Sequence, residues 1–176
     1  MFILFFEDGF LRTSFFFFSF LCLLYSADSS FAKVSGAAYS LKDKPVLDGR
    51  ILEESVWKIA KPMTNFIQVK PVEGAPASQR TEVFVGYTSD NLYVGVICYD
   101  ENPESIISAS NKRDSDLDEE DSFRFVIDTF QSEQDGFVFG TNPSGVEFDG
   151  QIATTEMSRF GSRGFNTNWD TTWRVV

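Results

Sequence analysis

From residue 80 onward the chain alternates, and that alternation confines it to sheet. Residues 80–87 (RTEVFVGY) place Val83, Val85 and Tyr87 on one side and Glu82, Phe84 and Gly86 on the other. A period of two is what a pleated strand imposes. After the polar break Thr88-Ser89-Asp90-Asn91, residues 92–99 (LYVGVICY) resume in β-branched and aromatic side chains. Two such runs joined so briefly read as an antiparallel hairpin. Residues 122–128, 137–141 and 146–152 read as further strands. The last two are joined by Asn142-Pro143-Ser144-Gly145, with proline and glycine where a type I turn prefers them. Helical signals are brief. Ile51, Leu52, Val56, Ile59 and Ala60 share a helical face that Pro62 cuts short, and Asn102-Pro103-Glu104 can cap and begin a turn or two through Ile107. The pattern predicts an all-β chain, an antiparallel β-sandwich with one or two short helices.

Composition excludes more chemistry than it suggests. No histidine is present, so no serine–histidine triad, Cys–His dyad or His-ligated zinc or iron site can be built within the chain. Cys22 and Cys98 are the only cysteines, too few for a disulfide framework. Cys98, in an alternating stretch, is expected to pack as a small apolar side chain. The length of 176 residues suits one domain, and the net charge of −11 argues against nucleic acid and anionic membrane surfaces.

The N-terminal part is of another kind. Residues 13–27 (TSFFFFSFLCLLYSA) are nearly all apolar, with Arg12 before them and Ser30-Phe31-Ala32 after. A basic flank, a short apolar run and small residues at a cleavage point describe a secretory signal peptide over residues 1–32. The run falls short of the roughly 20 residues that cross a bilayer. Residues 33–44 then read as a linker, and the mature chain is expected to carry no membrane span.

A resemblance begins at Leu47-Asp48-Gly49, Glu53-Glu54 and Trp57. It continues in order through Arg80-Thr81-Glu82-Val83, Leu92-Tyr93-Val94-Gly95, Asp100, Arg113-Asp114, Asp121-Ser122-Phe123, Asp128 and Asn142-Pro143 with Gly145. Over residues 45–176 the chain resembles family 9 carbohydrate-binding modules. Residues 71–80 and Arg113-Asp114 look most like the version at the N-terminus of large exported bacterial proteins, ahead of a domain suspected to be an outer-membrane barrel. The resemblance implies a jelly-roll-like sandwich that binds oligo- or polysaccharide, is not itself catalytic, and keeps company with xylanases and other glycoside hydrolases. It also implies further strands after the Trp169-Asp170 and Trp173 signature, so residues 45–176 read as an incomplete module, and residues 33–176 are expected to be poorly soluble alone. Family members clamp a terminal sugar between two tryptophans. Asp118 stands where the first belongs, and the second lies beyond Val176, so neither carries over. An alternative keeps the sandwich without sugar binding, as an interaction or plug domain on an outer-membrane protein.

Three groups of residues are candidates for a site. Trp169 lies between Asn168 and Asp170, an aromatic plane for a pyranose face beside groups that bond hydroxyls. Phe160, Arg163 and Phe165 in the neighbouring loop, residues 158–168, complete the candidate sugar platform. Trp57 and Trp173, by contrast, read as core residues, the latter at the start of a strand. Asp114, Asp116 and Asp118 at alternate positions, with Asp121, form a spacing suited to calcium. Family 9 modules are known to hold calcium. The same run also reads as a solvated loop tied by Arg113. It is not an EF-hand, because Glu119 and Phe125 stand where glycine and the bidentate glutamate belong. Nor does a solvated cluster suit glycoside hydrolysis, which needs a spaced carboxyl pair with one pKa raised by an apolar surround.

Overall fold

A computed structural model describes residues 35–157 and 163–176. The leader read at residues 1–32, with Cys22, lies outside them, as does Phe160. Among the described residues seven strands form two sheets: β1 (Ala38–Ser40), β2 (Thr81–Tyr87) and β3 (Leu92–Cys98) in one, and β4 (Phe123–Ile127), β5 (Gly136–Thr141), β6 (Phe148–Met157) and β7 (Arg163–Asn166) in the other. Each sheet runs in chain order, and every pairing is antiparallel except the short parallel contact of β1 with β2. The described residues are therefore all-β, with strands in two largely antiparallel sheets. No helix among the described residues is long and apolar enough to cross a membrane.

The hairpin forms as the alternation requires. Thr81 opposes Cys98 and Tyr87 opposes Leu92, with Thr88 N–H donating to the Asn91 carbonyl across the turn (2.9 Å). One face of this sheet, carrying Phe84, Tyr93 and Ile97, packs on Leu41, Trp57 and Ala60. The edge of Phe84 meets Trp57 at 6.1 Å and 64°. Trp57 is thus a core residue. The second sheet has a cluster of its own, in which Leu117, Val138, Val146 and Phe148 are buried on one face. At the β5–β6 connection Gly145 N–H donates to the Asn142 carbonyl (2.9 Å), and Gly145 takes a φ of +72° that glycine adopts without strain. Between the sheets lies a cavity of about 350 Å³, walled by Val83, Val85 and Val94 on one side and Phe123, Phe125 and Ile127 on the other.

Several elements depart from the expectation. The helical face over residues 51–60 is two 3-10 turns, Ile51–Glu53 and Ser55–Ile59, because Glu54 between them is extended (φ −87°, ψ 129°). A third 3-10 turn, Pro103–Ser105, starts at its proline as expected, but the Asn102 side chain does not cap it. Strand β1 falls within the stretch read as linker; Leu41 just beyond it is 5 % exposed and anchors it to the first core. Strand β7 falls within residues 158–168, read as loop. Residues 171–176 carry no strand, so Trp173 does not begin one. Cys98, placed inside by its pattern, is exposed at the end of β3, opposite Thr81.

The β4–β5 loop is pinned from within. Asp128 accepts the Phe130 N–H (3.1 Å) and the Glu133 N–H (2.7 Å), while Gln131 and Glu133 hold positive φ values of 53° and 56°. The Glu133 backbone donor leads the groups that hold the Asp128 carboxyl below its ordinary range, against a smaller opposing effect of burial. A lowered folded-state pKa means that the carboxylate stabilises the loop above its unfolded pKa. That contribution is lost as pH falls through the folded value. Amide resonances of Phe130 and Glu133, followed by NMR during acidification, should titrate together with a midpoint below that of an ordinary aspartate.

Candidate functional site

The second sheet sorts its side chains by parity. Phe125 opposes Phe139 and Ile127 opposes Phe137, so the inner face carries Phe123, Phe125, Phe137 and Phe139. These rings form a file, with Phe123 to Phe125 at 6.0 Å and Phe125 stacked on Phe139 at 5.4 Å and 20°. Beyond β7 the chain turns at Thr167 and Asn168, where the Asn168 N–H donates to Asn166 Oδ1 (3.0 Å). The turn brings Trp169 onto the file, stacked on Phe137 at 4.5 Å and 30° and edge-on to Phe139 at 6.1 Å. Trp173 meets the same Phe139 at 5.4 Å and 81°.

Trp169 is half-buried, and Asn168 and Asp170 beside it are exposed. The three are consecutive in the chain just after β7. Phe165 is not with them. It pairs with Ile152 and stacks on Phe148 at 6.0 Å, on the opposite face of the sheet. The reason is again parity: Phe148 and Gly150 share the outer face, and a Cβ on Gly150 would stand 2.6 Å from the Phe165 ring. Glycine at 150 is what lets that ring lie flat on the sheet. Arg163 belongs to β7 opposite Met157.

Sequence reasoning missed the ionic hub below Trp173. Asp149, on the inner face opposite Phe139, is 1 % exposed. It accepts from the Arg113 guanidinium, from the Thr171 N–H (2.9 Å) and from Trp173 Nε1 (3.2 Å). Arg113 also reaches Glu147 (2.6 Å), Asp170 and Asp114. Partial burial works against the guanidinium's charge, but Asp149, Asp170, Asp114 and Glu147 together hold its pKa above the ordinary range. The Asp170 carboxylate is thus committed to Arg113. The only signal in the sequence was Arg113 as the tie of the acidic loop, and that tie reaches much farther than its own loop.

The acidic run does not converge. Asp114 accepts the Asp149 N–H (3.4 Å), and Asp116 accepts the Asp118 N–H (2.9 Å). Asp118 pairs with Arg124 (2.7 Å), and Asp121 accepts the Ile107 N–H (2.7 Å). Each carboxylate is used separately, and among the described residues no three acidic or cysteine side chains gather as metal ligands would. Glu120 is likewise occupied. Burial pushes its pKa up, but the Ala109 and Ser110 N–H groups, the Asn142 amide and Arg124 outweigh that and leave it lowered. This shift is opposite in sign to the one a general acid needs.

Comparison of the chain with protein-family models, with curated proteins and with solved structures found no match.

Proposed function

We propose that this chain is a non-catalytic carbohydrate-binding module of an exported protein, acting in polysaccharide capture and breakdown. Its two sheets are the layers of a jelly-roll-like sandwich, a reading supported by the cavity that both sheets wall. The observation that carries the sugar-binding role is Trp169. It rests on the Phe137 ring, half-buried, with the exposed Asn168 next to it. A ring so braced keeps its orientation, and a pyranose face covers an aromatic plane while its hydroxyls bond a neighbouring amide. Binding through one aromatic and few hydrogen bonds is weak, and serves to hold an enzyme near an insoluble substrate.

A glycan array probed with the full chain tests this. The expected result is binding to xylan or cellulose fragments that disappears in Trp169→Ala. Silence on every glycan overturns the sugar-binding role. Turnover of a nitrophenyl glycoside by the chain alone overturns the non-catalytic one.

A further inference from the structure

Trp169 is suspended between two anchors. Before it, the Asn168 N–H donates to Asn166 Oδ1 (3.0 Å) and closes the turn that leaves β7. After it, residues 169–176 form no strand, so no ladder of paired backbone groups holds them. Their ties go instead to one buried carboxylate and the arginine beside it. Asp149 Oδ2 accepts the Thr171 N–H (2.9 Å), and Asp149 Oδ1 accepts Trp173 Nε1 (3.2 Å). Arg113 donates to the Thr171 carbonyl (3.3 Å) and to the Asp170 side chain. Asp149 is itself fixed on the sheet. It lies on β6 opposite Phe139, the ring that Trp169 and Trp173 both meet edge-on.

We infer that Asp149 is the positioning residue of the sugar platform: through Thr171 and Trp173 it fixes how the Trp169 ring lies on Phe137. The inference rests on the sugar-binding reading of Trp169. At 1 % exposure Asp149 acts through the chain and not on the ligand. The residue type follows from its donors. The Arg113 guanidinium and Trp173 Nε1 both meet Oδ1, and the Thr171 N–H meets Oδ2. Only a carboxylate accepts at both positions; an amide of the same shape has one acceptor oxygen and an NH2 group. With its oxygen kept by Arg113 and Trp173, an asparagine would set that NH2 against the Thr171 N–H. Donor then faces donor, and the chain two residues beyond Trp169 is released. A ligand that must order a loose ring as it binds is held more weakly, whereas a ring set in advance carries no such cost.

Fluorine NMR of the full chain labelled with 5-fluorotryptophan tests this, with binding to xylohexaose measured on the same samples. The three tryptophans give three resonances, assigned by single replacement with phenylalanine, and Trp57 reports on the first core. Asp149→Asn should move the Trp169 resonance, leave that of Trp57 in place and weaken xylohexaose binding by about tenfold. Trp173→Phe keeps a ring against Phe139 and removes the indole donor, and it decides the matter should Asp149→Asn fail to fold. It should move the Trp169 resonance in the same direction. Leu117→Ala loosens the opposite face of the same sheet and should move that resonance less than either. A Trp169 resonance unmoved by Asp149→Asn and Trp173→Phe overturns the inference. So does an equal movement in Leu117→Ala, which would mark a general loosening, and so does a moved resonance with binding unchanged. If the unaltered chain ignores xylohexaose while the resonance moves as expected, the sugar-binding role falls and the positioning of Trp169 by Asp149 stands.

Discussion

Replacing Arg113 with methionine should destabilise the fold by about 1–3 kcal/mol, the cost of leaving a buried polar group short of a partner. This is less than for a fully buried ion pair because the guanidinium is 35 % exposed. The loss arises at Asp149, whose carboxylate is 1 % exposed and would be left charged in an apolar setting. Its remaining donors, Thr171 N–H and Trp173 Nε1, place the effect toward the lower end. Asp170→Asn, which removes a partner 72 % exposed from the same guanidinium, should cost less than about 1 kcal/mol. Chemical denaturation reads both as a shift of midpoint at constant slope. The double variant Arg113→Met with Asp149→Leu should recover much of the loss, because no buried charge is then left over. A double variant no more stable than Arg113→Met would show that the hub matters by shape and not by charge.

Trp57→Ala should cost about 3–5 kcal/mol, the range for deleting a large buried aromatic side chain. Trp57 is 5 % exposed, fills the space between Leu41, Ala60 and Phe84, and is the largest side chain of the first core. Trp57 itself sits on the second of two short 3-10 turns, whose few internal hydrogen bonds are poorer than those of an α-helix. Leu52→Ala, in the same turns but 65 % exposed, should change stability by less than about 0.5 kcal/mol. Thermal and denaturant unfolding of the two variants side by side separate packing from mere hydrophobicity. Comparable losses would mean that the turns, not the buried ring, carry the first core.

What was legible in the sequence is what short-range periodicity encodes. The hairpin of β2 and β3 lies within a residue of its expected bounds, because seven alternating side chains on each arm leave no second register that buries the same face. Strand β1 was hidden because three residues are too few to alternate; its pairing with β2 and the burial of Leu41 make it a strand. Strand β7 was hidden for a related reason. Arg-Gly-Phe-Asn has loop composition, and only a neighbouring strand supplies its partners. At the candidate site, Trp169 with Asn168 and Asp170 was readable as a contiguous cluster. That Phe165 falls on the other face was not, because it depends on how β7 registers against β6. The hub at Asp149 was still less accessible, since Arg113 and Trp173 lie 36 and 24 positions away from it.

The two buried clusters share no member: one gathers Leu41, Trp57, Ala60 and Phe84, the other Leu117, Val138, Val146 and Phe148. Each sheet thus carries a separate source of cohesion, with a cavity where a common one would be. Cooperative opening follows the boundaries of such clusters. One half is therefore expected to exchange its amide hydrogens with deuterated solvent ahead of the other, a difference in local opening within one domain.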